Sequence, residues 1–373
     1  NDQKSALRRL LKWFGQGCPY QYITLGGYAG TGKTTLVAVF RKILHDKLPD
    51  INVAMCSYTG RAVQVLKDKL IETHTLYKGD ITSTIHGLIY RPVENSRGII
   101  IGWDRRDFIN TNLIVIDEAS MVNQDIWLDL KSYNIPIIAV GDHGQLPPIQ
   151  GKFNLMEDPH IKLEEIHRQV RDNPIIKVSQ YAREHGKVAA QEYGENVVKY
   201  STSDMDTHLI TNDLLENYTS DTLILCGYNS TRNKINQFIR NSLGYELPIP
   251  QTGDRVICLR NNQKKEIYNG MLGTVKNIHE HDEDWYEAEI DMDNTEQMYK
   301  GLIYASQFGN PDPINFTKDR ILAKKGDLFD FGYALTVHKA QGSQAKRVVL
   351  FEERFKKMDD EMWRRWLPID SQI

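Results

Sequence analysis

The stretch "LGGYAGTGKTT" runs from Leu25 to Thr35, and its reading decides the fold. Gly27 to Thr34 match the pattern GxxxxGK[ST] in full. "YITLGG" supplies an apolar strand before it, and "TTLVAVFRKIL" supplies a helix after it. That context is what the pattern requires. Gly27, Gly30 and Gly32 let the backbone wrap a phosphate, and amides at the helix start point at the negative charge. Thr31 and Thr35 flank the same loop. Lys33 is placed to reach the β- and γ-phosphates, and Thr34 to bind Mg²⁺ through its hydroxyl. The loop therefore predicts a site for ATP or a related nucleotide.

Two further elements lie downstream. "LIVIDEAS", Leu113 to Ser120, reads as a buried parallel strand ending in two carboxylates, where α/β sites sit. Asp117 is the candidate for the Mg²⁺ shell, and Glu118 for the general base that activates water. "IPIIAVGDHGQLPPI" again runs from apolar strand to polar turn. It puts Asp142 and Gln145 at a strand end, beside the two carboxylates if the strands are neighbours. Gln145 is the candidate sensor of the γ-phosphate.

The 373 residues suit two to four domains, and 40% of them are apolar, enough for ordinary cores. No apolar run approaches the roughly 18 residues of a membrane span. No charged-then-apolar leader is visible, and the first residue is Asn1 rather than Met, which suggests missing N-terminal sequence. Cys18, Cys56, Cys226 and Cys258 are far apart and form no CxxC pair. They read as buried thiols of a reducing cytoplasm. A net charge of −3 does not advertise nucleic-acid binding, yet a basic groove or backbone amides can contact phosphates on such a protein.

The motif series resembles superfamily 1 helicases, most closely their RecD-like and Dda-like branch, over nearly the whole chain. "NDQKSALRRLLKW" looks like the start of that family's adenine-binding segment, with Gln3 at the glutamine that reads adenine. "SYTGRAVQVL" is similar to motif Ia, and "TSTIHGLI" to the segment that touches single-stranded DNA. "VIDEASMV" and "GDHGQLPPI" resemble motifs II and III. "LEEIHRQVRDNPI" looks like the Arg-Gln segment, with Arg168 at the arginine that reaches the γ-phosphate. "GYALTVHKAQGSQ" resembles motif V, where Gly342 falls among the nucleotide contacts.

The resemblance implies two RecA-like P-loop motor domains with ATP and Mg²⁺ between them. It also implies translocation on single-stranded DNA from 5′ to 3′, with unwinding of forked duplex DNA. A monomer without a membrane partner is implied, with a single-strand-binding or replication or recombination protein as a further partner. Thr59, Thr84, His86, Asn229, Thr336 and His338 become candidate nucleic-acid contacts. The motor residues leave DNA and RNA open, because contacts to the 2′-OH are not legible. The sequence departs from the family at its end. "DEMWRRWLPIDSQI" carries no motif VI, and Arg364 and Arg365 do not fit its pattern. Turnover is then in doubt, and a nucleotide-dependent binding module is the competing reading. Motif V also ends in Gln344, where many relatives carry Glu.

The expected organisation is a first motor domain over about 1–160 and a second over 161–373. A β-rich insertion is expected near 88–110, at the place of the pin that splits the duplex in relatives. Within it Trp103 and Phe108 either stack on bases or pack the insertion's own small core. Short alternating runs such as "DRVICLR", "LGTVKNI" and "WYEAEIDM" predict a β-barrel-like insertion at about 253–330. The acidic run "EHDEDWYEAE" reads as a solvated face.

Overall fold

The computed structural model describes residues 2–28, 30–94, 100–142, 153–164, 173–293, 298–310, 314, 320–340, 345–356 and 358–367. Side chains at 61, 94, 100, 101, 263, 320 and 338 lie outside that description. The chain divides into two units: Asn1–Pro92 with Trp103–Arg183, and Val93–Gly102 with Glu184–Ile373.

The first unit opens with α1 (Asp2–Gly15), whose Ala6, Leu10 and Trp13 fall on one face and are buried. Then come β1 (Tyr22–Gly27), α2 (Lys33–Lys47), β2 (Val53–Ser57), α3 (Gly60–Glu72), β3 (Ile81–Thr84) and α4 (Ile85–Ile89). β4 (Tyr90–Glu94) and β5 (Ile100–Arg105) form a separate two-stranded ribbon. β6 (Leu113–Asp117), α5 (Gln124–Lys131), β7 (Ile137–Gly141), β8 (Ile161–Leu163) and α6 (Pro174–His185) follow.

Six strands form one parallel sheet in the order β3-β2-β6-β7-β1-β8. Every residue of β2 and β7 is buried, because a parallel sheet covered on both faces has no polar side. Leu25, Val53, Val115 and Val140 point into one core cluster, and Ala54, Ile114, Ile116 and Ala139 into another. The period of two along each strand separates these two sets.

One ionic pair crosses the first cluster. The Arg41 guanidinium on α2 bonds both carboxylate oxygens of Asp80, at 3.0 and 2.9 Å, and neither side chain has exposed surface. Asp80 also accepts from the Val53 and Tyr77 amides. Removing one member of such a pair typically costs about 3–5 kcal/mol, because the other charge stays buried. Asp80 thereby ties the turn before β3 to α2.

The domain border differs from the expected 160/161. The first unit runs on to Arg183, because β8 joins this sheet through Leu25↔Ile161 to Gly27↔Leu163.

The second unit carries β9 (Gln191–Gly194), β10 (Val197–Lys199), α7 (Met205–Glu216), β11 (Thr222–Cys226) and α8 (Asn229–Ser242). β12 (Arg255–Cys258), β13 (Leu272–Asp282), β14 (Trp285–Met292), β15 (Met298–Tyr304), β16 (Phe329–Phe331), β17 (Ala334–Thr336) and β18 (Arg347–Leu350) follow. β17, β11 and β18 make a parallel sheet in that order. The stretch expected to be barrel-like folds as a five-stranded antiparallel sheet, β15-β14-β13-β12-β16. Its two edges meet at one bridge, Ile303↔Asp327, sealed by Asp327 N–H to Leu302 O at 2.8 Å.

Buried ion pairs brace this unit too. Arg240 on α8 bonds Asp254, which also accepts from Tyr333 Oη. Arg232, 2% exposed, lies 3.0 Å from Asp330. Burial raises the Asp330 carboxyl, while Arg232 and the amides of Gly309 and Phe331 pull it the other way.

Cys56, Cys226 and Cys258 are buried, and burial pushes each thiol up to about 12. Cys18 is half-exposed and is raised by the same cause. Thiolate is the reactive form. In native protein at pH 8 we expect a maleimide, followed by peptide mass mapping, to label Cys18 first. All four should react after unfolding in guanidinium. Native labelling of Cys258 as fast as Cys18 would contradict its burial.

Candidate nucleotide site

The site is built along the carboxyl edge of the first sheet. β1 ends at Gly27, and a turn leads into α2. Gly30 and Gly32 have φ of 76° and 80°, a left-handed backbone in which a Cβ is strained. Gly27 is required by close approach, since a Cβ there would sit 2.6 Å from Thr31 Oγ1 and 2.9 Å from Leu163 Cβ.

α2 starts at Gly32 with no side-chain cap. By contrast α3, α4 and α5 are capped by Thr59, Thr84 and Asn123. The first amides of α2 are thus left for an anion, which also meets the positive end of the helix dipole. Lys33 Nζ donates to Gly27 O at 2.8 Å and Tyr28 O at 3.0 Å, so the amine lies folded over the loop. Gln3 reaches the same loop from α1, its Nε2 donating to Thr31 O at 2.7 Å. Thr31 Oγ1 bonds Tyr28 O, an internal brace. Thr35 lies in the first turn of α2.

β6 carries Asp117 to the same edge. Burial raises its carboxyl, and the Lys33 charge, the Glu118 amide and the Thr34 hydroxyl each pull it down. Asp117, Lys33 and Thr34 are therefore one group. Glu118 has φ 54° and ψ 40°, a left-handed conformation that costs a non-glycine residue about 1–3 kcal/mol. Its N–H donates to Asp117 Oδ1 at 3.0 Å. The backbone thus turns sharply at the strand end and sends two successive carboxylates in different directions. Neighbouring β7 delivers buried Asp142 beside them. Gln145, Arg168 and Gly342 lie outside the described residues.

Two residues here were not among the candidates, although Ser57 heads the motif Ia string. Ser57 stands in register with Asp117 and with Thr84 at the strand ends. Its Oγ is buried and makes no hydrogen bond among the described residues. The Arg183 guanidinium lies over the Tyr28 ring at 4.9 Å, closing on the phosphate loop from α6. Only the fold brings these residues together.

The candidate nucleic-acid residues divide. Thr59 and Thr84 sit at the same carboxyl edge on adjacent strands, and their hydroxyls accept from Ala62 N and Gly87 N as helix caps. His86 is exposed between Tyr58 and Tyr90, and partial burial lowers its pKa. Trp103 and Phe108 are 52% and 74% exposed, so neither packs a core of the ribbon. Asn229 is exposed at the start of α8. Thr336 closes β17 and is 8% exposed. The His338 side chain lies outside the described residues.

A parallel sheet with an uncapped glycine loop, a lysine and a buried aspartate at one edge defines the P-loop nucleotide-binding class. Residues 1–200 match the family model described as an AAA domain, and residues 331–367 match that of the UvrD-like helicase C-terminal domain. The chain belongs to the AAA-domain family. It is similar to the ATP-dependent RecD2 DNA helicase of Deinococcus radiodurans, 25% identical over 87% of this chain and 42% of that protein. It is also similar to the ATP-dependent DNA helicase Pif1 of Campylobacter jejuni, 25% identical over 64% of this chain and 63% of that one. Both matches span less than two thirds of the relative's own length. Among solved structures, Bacteroides Pif1 bound to single-stranded DNA shares the fold with a TM-score of 0.55 at 17% identity, covering 99% of this chain and 89% of that one.

Proposed function

We propose that this chain is an ATP-dependent DNA helicase that moves along single-stranded DNA from 5′ to 3′ and opens forked duplex. The observation that carries the reading is the cluster of Lys33, Thr34 and Asp117 at one sheet edge, in a chain whose residues 331–367 match a helicase C-terminal family. The relatives named as DNA helicases support it. The two units correspond in this reading to two RecA-like motor domains. The β4–β5 ribbon is the pin, and the five-stranded antiparallel sheet is the barrel-like insertion.

The residues present fit a magnesium nucleotide. An uncapped helix start, a folded-back amine, a carboxylate bonded to a threonine hydroxyl and an orphaned Ser57 hydroxyl make a polar cradle. Magnesium would supply charge neutralisation across the phosphates. Lys33 swings from the Gly27 and Tyr28 carbonyls to the β- and γ-phosphate oxygens. Thr34 and Asp117 would hold the metal, and Gln3, which donates to Thr31 O, would fix the adenine side of the loop. Glu118 accepts the proton of the attacking water. Gln145 and Arg168 report loss of the γ-phosphate, and Gly342 completes the nucleotide contacts. That loss relaxes a closed state, as in other two-state motor elements. Thr59, Thr84, His86 and Asn229 contact the DNA backbone, while Trp103 and Phe108 offer rings to bases.

The test compares ATPase rates with and without oligo-dT, alongside unwinding of duplexes with a 5′ or a 3′ tail. Stimulation with unwinding only from the 5′ tail is expected. Unwinding only from the 3′ tail would overturn the polarity, and stimulation by RNA but not DNA would overturn the substrate.

A further inference from the structure

In the second unit a cleft of about 430 Å³ opens between the loop 245–252 and the β13–β14 hairpin. Its apolar walls are Tyr245, Leu247, Ile249, Ile278 and Tyr286. Leu247 is 52% exposed although a leucine gains about 1.5–3 kcal/mol from full burial. Glu280 stands at the rim, in register with Tyr286 on the neighbouring strand.

The strand beside this cleft has an open edge. β13 runs from Leu272 to Asp282, but β12 pairs with it only at Leu272, Gly273 and Thr274. Val275 is still covered, accepting from Gly253 N–H and donating to Asp254 O. Beyond it, Asn277–Glu280 and Asp282 pair with β14 alone among the described residues, with register shifts at Lys276 and His281. The loop 245–252 leads into Gly253 on this open side. A row of main-chain donors and acceptors therefore faces the cleft, the arrangement to which an extended segment adds as a strand.

Charge selects the occupant. Asp282 and Glu289 are matched by Lys325 and Lys300. Glu280 on the cleft face and Glu283 at the hairpin end are exposed and enter no ion pair among the described residues. A rim of this sign repels a phosphate backbone and attracts a cation.

We propose that the cleft is a docking site for an extended basic segment of a partner protein. The segment adds to β13 along 276–282, places an apolar side chain between Tyr245 and Tyr286, and sets a Lys or Arg against Glu280. This site is built from residues of the second unit alone and does not depend on the helicase reading.

The test is fluorescence polarisation on the whole chain with a labelled short peptide of alternating valine and lysine, its glutamate-for-lysine counterpart, and labelled oligo-dT. We expect the basic peptide to bind and the acidic one to bind at least ~10-fold more weakly. Tyr286→Ala should weaken binding ~10-fold, the loss expected of a buried aromatic anchor. Glu280→Lys, a surface change, should reverse the charge preference while ATPase activity stays unchanged. Hydrogen exchange should slow at the amides of 276–282 when the basic peptide is added. Equal binding of both peptides, displacement of the peptide by oligo-dT, or unchanged exchange along 276–282 would each overturn the proposal.

Discussion

Lys33→Ala is expected to lower ATP turnover by about 10²–10³-fold or more, the range seen when one preorganised donor to developing charge is removed. The reason is local. The amine is the cation of the loop and lies within bonding distance of two carbonyls there, Gly27 O and Tyr28 O. No core contact depends on it, since α2 buries Leu36, Val37, Phe40 and Leu44 rather than its first residue. The variant should therefore unfold at nearly the wild-type temperature, which separates lost chemistry from lost structure. Removing the amine also takes away a charge that lowers the Asp117 carboxyl, so Asp117 should hold its proton more tightly and bind Mg²⁺ less well. Raising the Mg²⁺ concentration should not rescue turnover, because the phosphate contact is still missing. ATPase rates near wild type would show that the loop does not hold the reacting phosphates.

What the sequence made legible follows from how each element meets solvent. β6 and β7 were readable because strands covered on both faces are continuous apolar runs, and each leads to an aspartate at the carboxyl edge, Asp117 and Asp142. The phosphate loop was readable because its glycines answer to left-handed φ values and close contacts that no other residue meets. β8 was not readable. Its three residues alternate buried, exposed, buried, which looks like a loop until β1 is beside it, and so the first domain was ended too early. Ser57 and Arg183 were missed for a related reason. Register with Asp117 and a ring contact with Tyr28 are properties of the assembled unit, not of spacing. The acidic run read as a solvated face buries Trp285 and Ala288, and the open edge of β13 beside it depends on where β12 stops.

Glu118→Gln is expected to separate nucleotide binding from turnover. The substitution keeps shape and volume and removes only the ability to take a proton. General-base catalysis typically contributes about 10²–10⁴-fold, so turnover should fall by that factor. Binding of a fluorescent ATP analogue should stay within a few-fold of wild type, because Lys33, Thr34 and Asp117 carry the phosphate and metal contacts in the proposed site. The backbone supports this choice of variant. Glu118 adopts φ 54°, and its amide, not its side chain, braces Asp117 Oδ1 at 3.0 Å. A glutamine keeps that amide, so the Asp117 geometry should survive. If nucleotide binding collapses while turnover per bound nucleotide is retained, Glu118 holds the metal or the turn at the end of β6, and the base must be sought elsewhere on the same edge.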